Sequence, residues 1–315
     1  MSVASPLPVG SEVAKTSNYP LAARIQARVS DYMEIVKPRG SLMVLLTVSC
    51  GYILGMESPT ISFTLIHACL GIAVVAVGSS AVNQWIERKT DARMRRTMNR
   101  PLPAGRLAPT EVLIVGIAAA VIGCTYLALL VNKETALLTG LTFVLYAGVY
   151  TPLKRVTSLC TVVGAIPGAL PPVLGWMAAG GRLDENAFAL FATLFLWQFP
   201  HFFAIAWIYR DDYCQAGLRM LPAGKSLPHI TGLLAVVYAA GLIPVSILPS
   251  YCGLAGDTYA IVATVLGLAY LAASLMFAWN ETRTSARRLL WTSLLYLPVL
   301  LLTLVWDHQR LLDRF

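Results

Sequence analysis

Charge is scarce in this sequence. Of 315 residues, 13% are Asp, Glu, Lys or Arg, about half the ~25% of soluble domains. That deficit excludes a disordered chain, a nucleic-acid-binding module and an ordinary soluble enzyme. It is also uneven, because nine intervals hold no Asp, Glu, Lys or Arg at all: 40–56, 58–86, 112–132, 135–153, 156–181, 186–209, 226–256, 258–280 and 289–306. Each is about as long as the ~17–25 residues that cross ~30 Å of hydrocarbon as a helix. The alternation of period two that a membrane barrel needs is missing from them. A backbone in lipid must satisfy its own hydrogen bonds, so these runs read as helices. The expected fold is all-α, a polytopic membrane bundle of about nine transmembrane helices.

Paired cysteine motifs are missing as well. Cys50, Cys69, Cys124, Cys160, Cys214 and Cys252 show no metal-ligand spacing and mostly sit inside the apolar runs, as small buried hydrophobes do. Residues 1–36 lack the apolar core of a signal peptide, and Glu12 and Asp31 interrupt any acid-free transit pattern. They read as a loosely ordered cytoplasmic tail ahead of a single transmembrane domain, 37–315. The charge that is present collects on one side. With the N-terminus inside, twenty of the 24 Lys and Arg fall in inner segments, and only Lys133, Arg182, Arg310 and Arg314 fall outside. This positive-inside asymmetry places the N-terminus in the cytoplasm and the C-terminus beyond the membrane.

Two polar clusters, 83–106 and 210–225, follow the second and sixth runs on that inner face. Asn83, Glu87 and Asp91 are spaced i, i+4, i+8, which lines three oxygen-bearing side chains along one helical face. Carboxylate and amide oxygens suit Mg²⁺, which takes one or two carboxylates plus substrate phosphates. Arg93, Arg95, Arg96 and Arg100 stand just beyond, able to hold phosphate through forked hydrogen bonds. The same column reads equally as a ladder of solvated juxtamembrane charges paired with neighbouring arginines. Asp211 and Asp212 are either a second half-site for metal or two acids in a helix-end turn. Tyr150 and Lys154 could meet a diphosphate, or serve as an aromatic and basic interfacial anchor. His201 lies inside the sixth run, where an ionisable residue invites a functional role; a carbonyl freed at Pro200 would satisfy it as well.

Five blocks then stand in order: the Asn83, Glu87, Asp91 column; Met94 to Gly105 with Arg96, Arg100, Pro101 and Pro103; Tyr150 to Arg155 running on to Pro171, Pro172 and Trp176; Trp197, Gln198, Pro200 and His201; and Asp212, Tyr213 through Met220, Leu221 and Pro222. From Val36 to Trp306 the chain resembles the UbiA superfamily of intramembrane prenyltransferases, and more narrowly its haem-farnesylating branch, the haem O synthases. The resemblance implies a UbiA-like bundle that moves a farnesyl group from farnesyl diphosphate to a vinyl group of haem B, giving haem O and diphosphate with Mg²⁺ as cofactor. It makes Asn83, Glu87, Asp91, Asp211 and Asp212 the metal ligands, directly or through water. Arg96, Arg100, Lys154 and Arg155 become the diphosphate partners, and Tyr150, Lys154 and His201 the catalytic set, with His201 a candidate ligand to haem iron. Many superfamily members carry another acid four residues into the second motif; here Gln215 stands after Asp211, which leaves the number of metals open. The implied setting is a bacterial inner membrane, the active site near the cytoplasmic face, with the lipid bilayer, a haem A synthase or cytochrome oxidase assembly proteins as partners and no nucleic acid. Two other readings stay open. A quinone-precursor prenyltransferase would share the acids and the lysine, though not the Pro171, Pro172, Trp176 block; a secondary transporter would place charges mid-span.

Overall fold

The structure, a computed structural model, describes residues 20–56, 63–221 and 229–312, and among these all regular structure is helical. In chain order the helices are α1 (Leu21–Val36), α2 (Pro38–Leu54), α3 (Phe63–Asp91), α4 (Pro109–Leu130), α5 (Lys133–Leu153), α6 (Cys160–Ala178), α7 (Glu185–Ile208), α8 (Arg210–Gln215), α9 (Ile230–Tyr251), α10 (Asp257–Trp279) and α11 (Arg283–Leu312). The nine uncharged runs map in order onto α2–α7 and α9–α11. Eight of these helices are long and apolar enough to cross a membrane, and α2 is not. Its apolar part, Gly40–Leu54, spans only about 22 Å at 1.5 Å per residue. Pro38 starts that helix in its first turn and Gly55 ends it.

Local chemistry sets the ends. Pro109 opens α4; the Asn132 side chain accepts from Thr135 N to cap α5, and Asp184 accepts from Ala187 N to cap α7. For α10 the cap comes from another helix. Asp307 of α11, buried, accepts from the backbone N–H of Gly256 and Tyr259 at 2.8 and 3.1 Å. The second half of α6, Pro171 to Ala178, is buried at every position and runs through the middle of the bundle, after a break at Leu170. Its approach to α2 depends on two glycines: a Cβ on Gly51 would strike the Pro172 carbonyl, and one on Gly175 the Val48 carbonyl.

The expectation of a loose tail over 1–36 is corrected from Leu21 onward; residues 1–19 lie outside the described residues. Helix α1 is docked rather than loose. Ser80 and Gln84 of α3 both donate to the Ile35 carbonyl. Arg106 pairs with Asp31 and Glu34, and Arg28 and Tyr32 both meet Glu111. Polar residues that look unattached in sequence find their partners 72 to 83 positions away.

These contacts gather at one end of the bundle, together with the ends of α3, α5 and α7 and the start of α11. That is the end at which the two polar clusters of the sequence meet.

Candidate active site

Helix α3 presents the column. Asn83, Glu87 and Asp91 are all buried, at 1%, 9% and 1% relative exposure, so they are not a solvated ladder. Glu87 accepts from Lys154 Nζ at 2.8 Å, and Asp91 accepts from Arg100 at 2.8 Å. Asn83 donates to the Thr151 hydroxyl, which itself donates to the Tyr146 carbonyl. Within α5 the segment Val144–Tyr150 is wound as a π-helix, closing its bonds from residue i to i+5. The wider turn delivers Tyr150, Thr151 and Lys154 to the α3 column, with the Lys154 ammonium 4.3 Å from the centre of the Tyr150 ring.

The second cluster reaches the same recess. Met94 packs with Ala216 and Leu218, and Arg219 N donates to the Lys154 carbonyl at 2.8 Å. Burial raises the Tyr213 hydroxyl above its usual range, with Arg96 and Lys154 opposing and Glu87 adding to the shift. Glu87 and the α8 segment therefore share one end of the molecule and one electrostatic neighbourhood.

Sequence reasoning named most of these groups, and the structure sorts them. Asn83, Glu87, Asp91, Arg100, Tyr150 and Lys154 come together. Arg96 lies over the Tyr209 ring on the α7 side. Arg155 turns away and donates to the Ile86 carbonyl from the exposed surface. Asp211 is paired with Arg283 at 2.8 Å, and Asp211 and Asp212 line an opening beside α11 that Arg95 and Arg96 also reach. Among the described residues no three of His, Cys, Asp and Glu converge into a metal-sized cluster, so the five-residue ligand set is not assembled by protein contacts alone. Pro222, at the end of the second motif, lies outside the described residues. His201 sits at the α7–α11 interface, with Nδ1 2.7 Å from the Ser293 hydroxyl and its ring stacked on Trp197.

One residue was missed. Lys37, between α1 and α2, adopts a left-handed backbone with φ of 50°, uncommon for a residue with a Cβ. Its ammonium faces the charges of Arg100, Glu87, Lys154 and Asp91, and burial pulls its pKa down to about 8, with Arg100 adding to the fall. The only signal in the sequence is a lysine directly before Pro38 at the mouth of the first apolar run, indistinguishable there from a membrane-surface lysine.

The recess thus holds two carboxylates, each paired with a cation, Asp91 with Arg100 and Glu87 with Lys154, and a third cation, Lys37, that forms no ion pair among the described residues. Such a set has the charges to accept an anion of high charge by exchanging internal pairs for external ones.

Comparison with known proteins agrees with this geometry. The UbiA prenyltransferase family model matches residues 44–307. A protoheme IX farnesyltransferase of Koribacter versatilis is 43% identical over 294 residues, covering 90% of this chain and 95% of that protein; one of Solibacter usitatus is 41% identical, covering 89% and 99%. Among solved structures, a digeranylgeranylglyceryl phosphate synthase superposes with a TM-score of 0.71 at 16% identity, covering 90% of this chain and 99% of that one. A UbiA homologue from Archaeoglobus fulgidus, bound to DMAPP and Mg²⁺, does so with a TM-score of 0.54 at 19% identity, covering 87% and 99%. The buried acid–base recess, the helical bundle and these matches along most of the sequence lead to one assignment: the chain is an integral membrane protein that belongs to the UbiA prenyltransferase family and, within it, to the protoheme IX farnesyltransferases.

Proposed function

We propose that this chain transfers a farnesyl group from farnesyl diphosphate to a vinyl group of haem B, giving haem O and diphosphate, in the recess lined by α3, the end of α5 and Lys37. The observation that carries this reading is the paired burial of Glu87 with Lys154 and Asp91 with Arg100 in one recess, in a chain 43% identical to a protoheme IX farnesyltransferase.

The donor set fits Mg²⁺. Two buried carboxylates alone would repel a diphosphate, so their place beside phosphate-binding cations makes chemical sense only with a divalent cation between. Mg²⁺ ordinarily takes one or two carboxylates and completes its shell with water and substrate phosphates, so the lack of a third converging acid is no obstacle. Glu87 and Asp91 would hold it, with the Asn83 amide oxygen beside them; Asp212 would join through water. Bound there, Mg²⁺ supplies neutralisation of the charge that develops on the leaving diphosphate.

The chain's own residues do the rest. Lys37, Arg96, Arg100 and Lys154 bind the phosphate oxygens, and as the allylic carbon–oxygen bond breaks its electron pair goes to diphosphate, where these fixed cations stabilise it. Lys154 leaves the face of Tyr150 when it turns to phosphate, which frees an aromatic face for the allylic cation. The vinyl π-electrons form the new carbon–carbon bond. Water then adds to the remaining porphyrin-stabilised cation and loses a proton to solvent, leaving the hydroxyethylfarnesyl group. His201 stays with Ser293 at the α7–α11 interface, and no part in the reaction is assigned to it. The distribution of Lys and Arg supports placing this end of the bundle at the cytoplasmic face of a bacterial inner membrane.

The test is incubation of membranes carrying the chain with haem B, farnesyl diphosphate and Mg²⁺, followed by chromatography for a more hydrophobic haem. Product is expected from the wild type and not from Asp212→Ala, with both inserted to the same level. Absence of product from the wild type removes the proposal; near-normal turnover by the variant removes Asp212 from the metal site.

A further inference from the structure

Beside α11, and apart from the buried pairs of the α3 column, the described residues line a half-open cavity of about 950 Å³. It is at the upper end of the ~300–1,000 Å³ typical of ligand sites. Its wall is divided. Arg95, Arg96, Arg283 and Arg287 lie on it with Asp211 and Asp212, and the same wall continues through Leu290, Trp291 and Leu294. With Arg96 and Asp212 given to the diphosphate side, Arg95, Arg283 and Arg287 against Asp211 leave a net charge of +2. Along α11 the change from charge to grease is orderly: Arg283 and Arg287 are one turn apart, Trp291 follows on the same face, and Arg287 to Leu294 covers about 10 Å of helix rise, near the breadth of a porphyrin ring. Trp291 is 71% exposed, a large aromatic face without a partner in the bundle. Arg283 is spent on Asp211 and Arg96 lies over Tyr209, whereas Arg95 and Arg287 form no ion pair among the described residues.

We infer that this cavity is the docking site for the acceptor, with the two haem propionates held by Arg95 and Arg287 and the macrocycle laid against Trp291 and Leu294. The inference rests on haem B being the acceptor, as proposed above. Haem is amphipathic in the same sense as this wall. Its two carboxylates share one edge and its vinyl groups point the other way, so a net charge of +2 at the rim matches the propionates and sends the vinyl edge down into the apolar bundle. Free phosphate would use the arginines and leave the tryptophan wall idle. A lipid headgroup is the nearest competitor, since it also joins an anion to an apolar body, but it brings one phosphate where the site offers two unpaired arginines and a flat aromatic face.

The experiment is a Soret titration of the full chain in nanodiscs, comparing haem with its dimethyl ester, in which both carboxylates are masked. The wild type should bind haem roughly 10- to 100-fold tighter than the ester, as expected for two charge-assisted contacts. Arg95→Gln/Arg287→Gln should bind haem about as weakly as the wild type binds the ester, with no preference left, and Arg287→Gln alone should lose about half of that preference in free energy while its affinity for Mg²⁺–farnesyl diphosphate stays unchanged. Trp291→Ala should weaken haem and ester equally. An undiminished preference in the double variant overturns the inference, as does equal weakening of both ligands by the arginine changes, which would mark a structural fault. Loss of bound phosphatidylglycerol with haem preference intact assigns the arginines to lipid and also overturns it. A wild type that makes haem O but shows no preference for free carboxylates refutes the docking site and leaves the activity standing. A wild type that binds Mg²⁺–farnesyl diphosphate and no haem refutes the acceptor reading itself.

Discussion

Replacing one member of the Glu87–Lys154 pair should be more damaging than replacing both. The charges are 2.8 Å apart and their side chains are each 12% exposed, so Coulomb's law at an effective dielectric of ~20 gives about 6 kcal/mol of attraction before desolvation. Taking two ions out of water offsets much of that in net stability, but a double-mutant cycle reads the attraction itself, so the coupling should be about 4–6 kcal/mol. Lys154→Met alone leaves a buried carboxylate without a partner and should cost about 3–5 kcal/mol; Glu87→Gln alone should cost a similar amount, because it strands the ammonium. Glu87→Gln/Lys154→Met should recover most of that stability while making no haem O, which separates the fold's use of the pair from the reaction's. The assay is a double-mutant cycle on reversible unfolding in mixed micelles, run with and without Mg²⁺ and diphosphate. Both ligands should shrink the coupling, since Glu87 turns to the metal and Lys154 to phosphate. A coupling below about 0.5 kcal/mol in the ligand-free protein, against the range expected for buried pairs, would show the pair to be incidental. So would a coupling that Mg²⁺ and diphosphate leave untouched.

Asp91→Asn keeps the side-chain shape but removes the charge facing Arg100, and haem O formation per inserted protein should fall at least ~100-fold; activity within a few-fold of wild type would exclude Asp91 from the metal site. Lys37 has its pKa lowered to about 8 in the fold by burial against ~10.4 in a free chain, so the unfolded state binds more protons between those values. Stability of the ligand-free chain should therefore rise as pH goes from about 8 to ~10.4, the penalty being carried in full below that window. Denaturant titrations should lose this component in Lys37→Met, and an identical profile in the variant would contradict the burial of that ammonium. Gly175→Ala drives a methyl into the Val48 carbonyl and should destabilise by about 1–3 kcal/mol or more. Gly40→Ala, with open space around it in α2, should be neutral or stabilising by up to ~1 kcal/mol; equal melting temperatures for the two would refute the close α2–α6 contact.

Much of the fold was legible because lipid imposes one rule on every span. Charge is excluded from it, so uncharged intervals reveal helices whatever their detailed sequence. The α3 column was legible for a related reason: oxygen-bearing residues at a spacing of four are one face of one helix, a purely local fact. What escaped was long-range. Helix α1 looks like solvated polar chain because its partners Arg106 and Glu111 come some 75 residues later. Lys37 looks like any basic residue at a membrane surface until the fold turns it toward Arg100 and Glu87. Adjacent aspartates cannot be ranked by spacing, whereas in three dimensions Arg283 claims Asp211 and no ion pair claims Asp212 among the described residues. Nothing in Val144–Tyr150 announces a π-turn, since its residues suit an α-helix equally well.

That turn has a consequence for how the chain can vary. A π-turn is an α-helix with one residue too many, and the surplus leaves the Tyr146 carbonyl bonded to Thr151, five positions on, where Thr151 also hydrogen-bonds Asn83. A chain shortened by one residue within this stretch would span the bilayer as comfortably and keep both flanks of the helix facing as they do now. Length variants here would look harmless to any test of insertion or assembly, while the widened turn that now sets the Tyr150 ring against Lys154 had quietly gone.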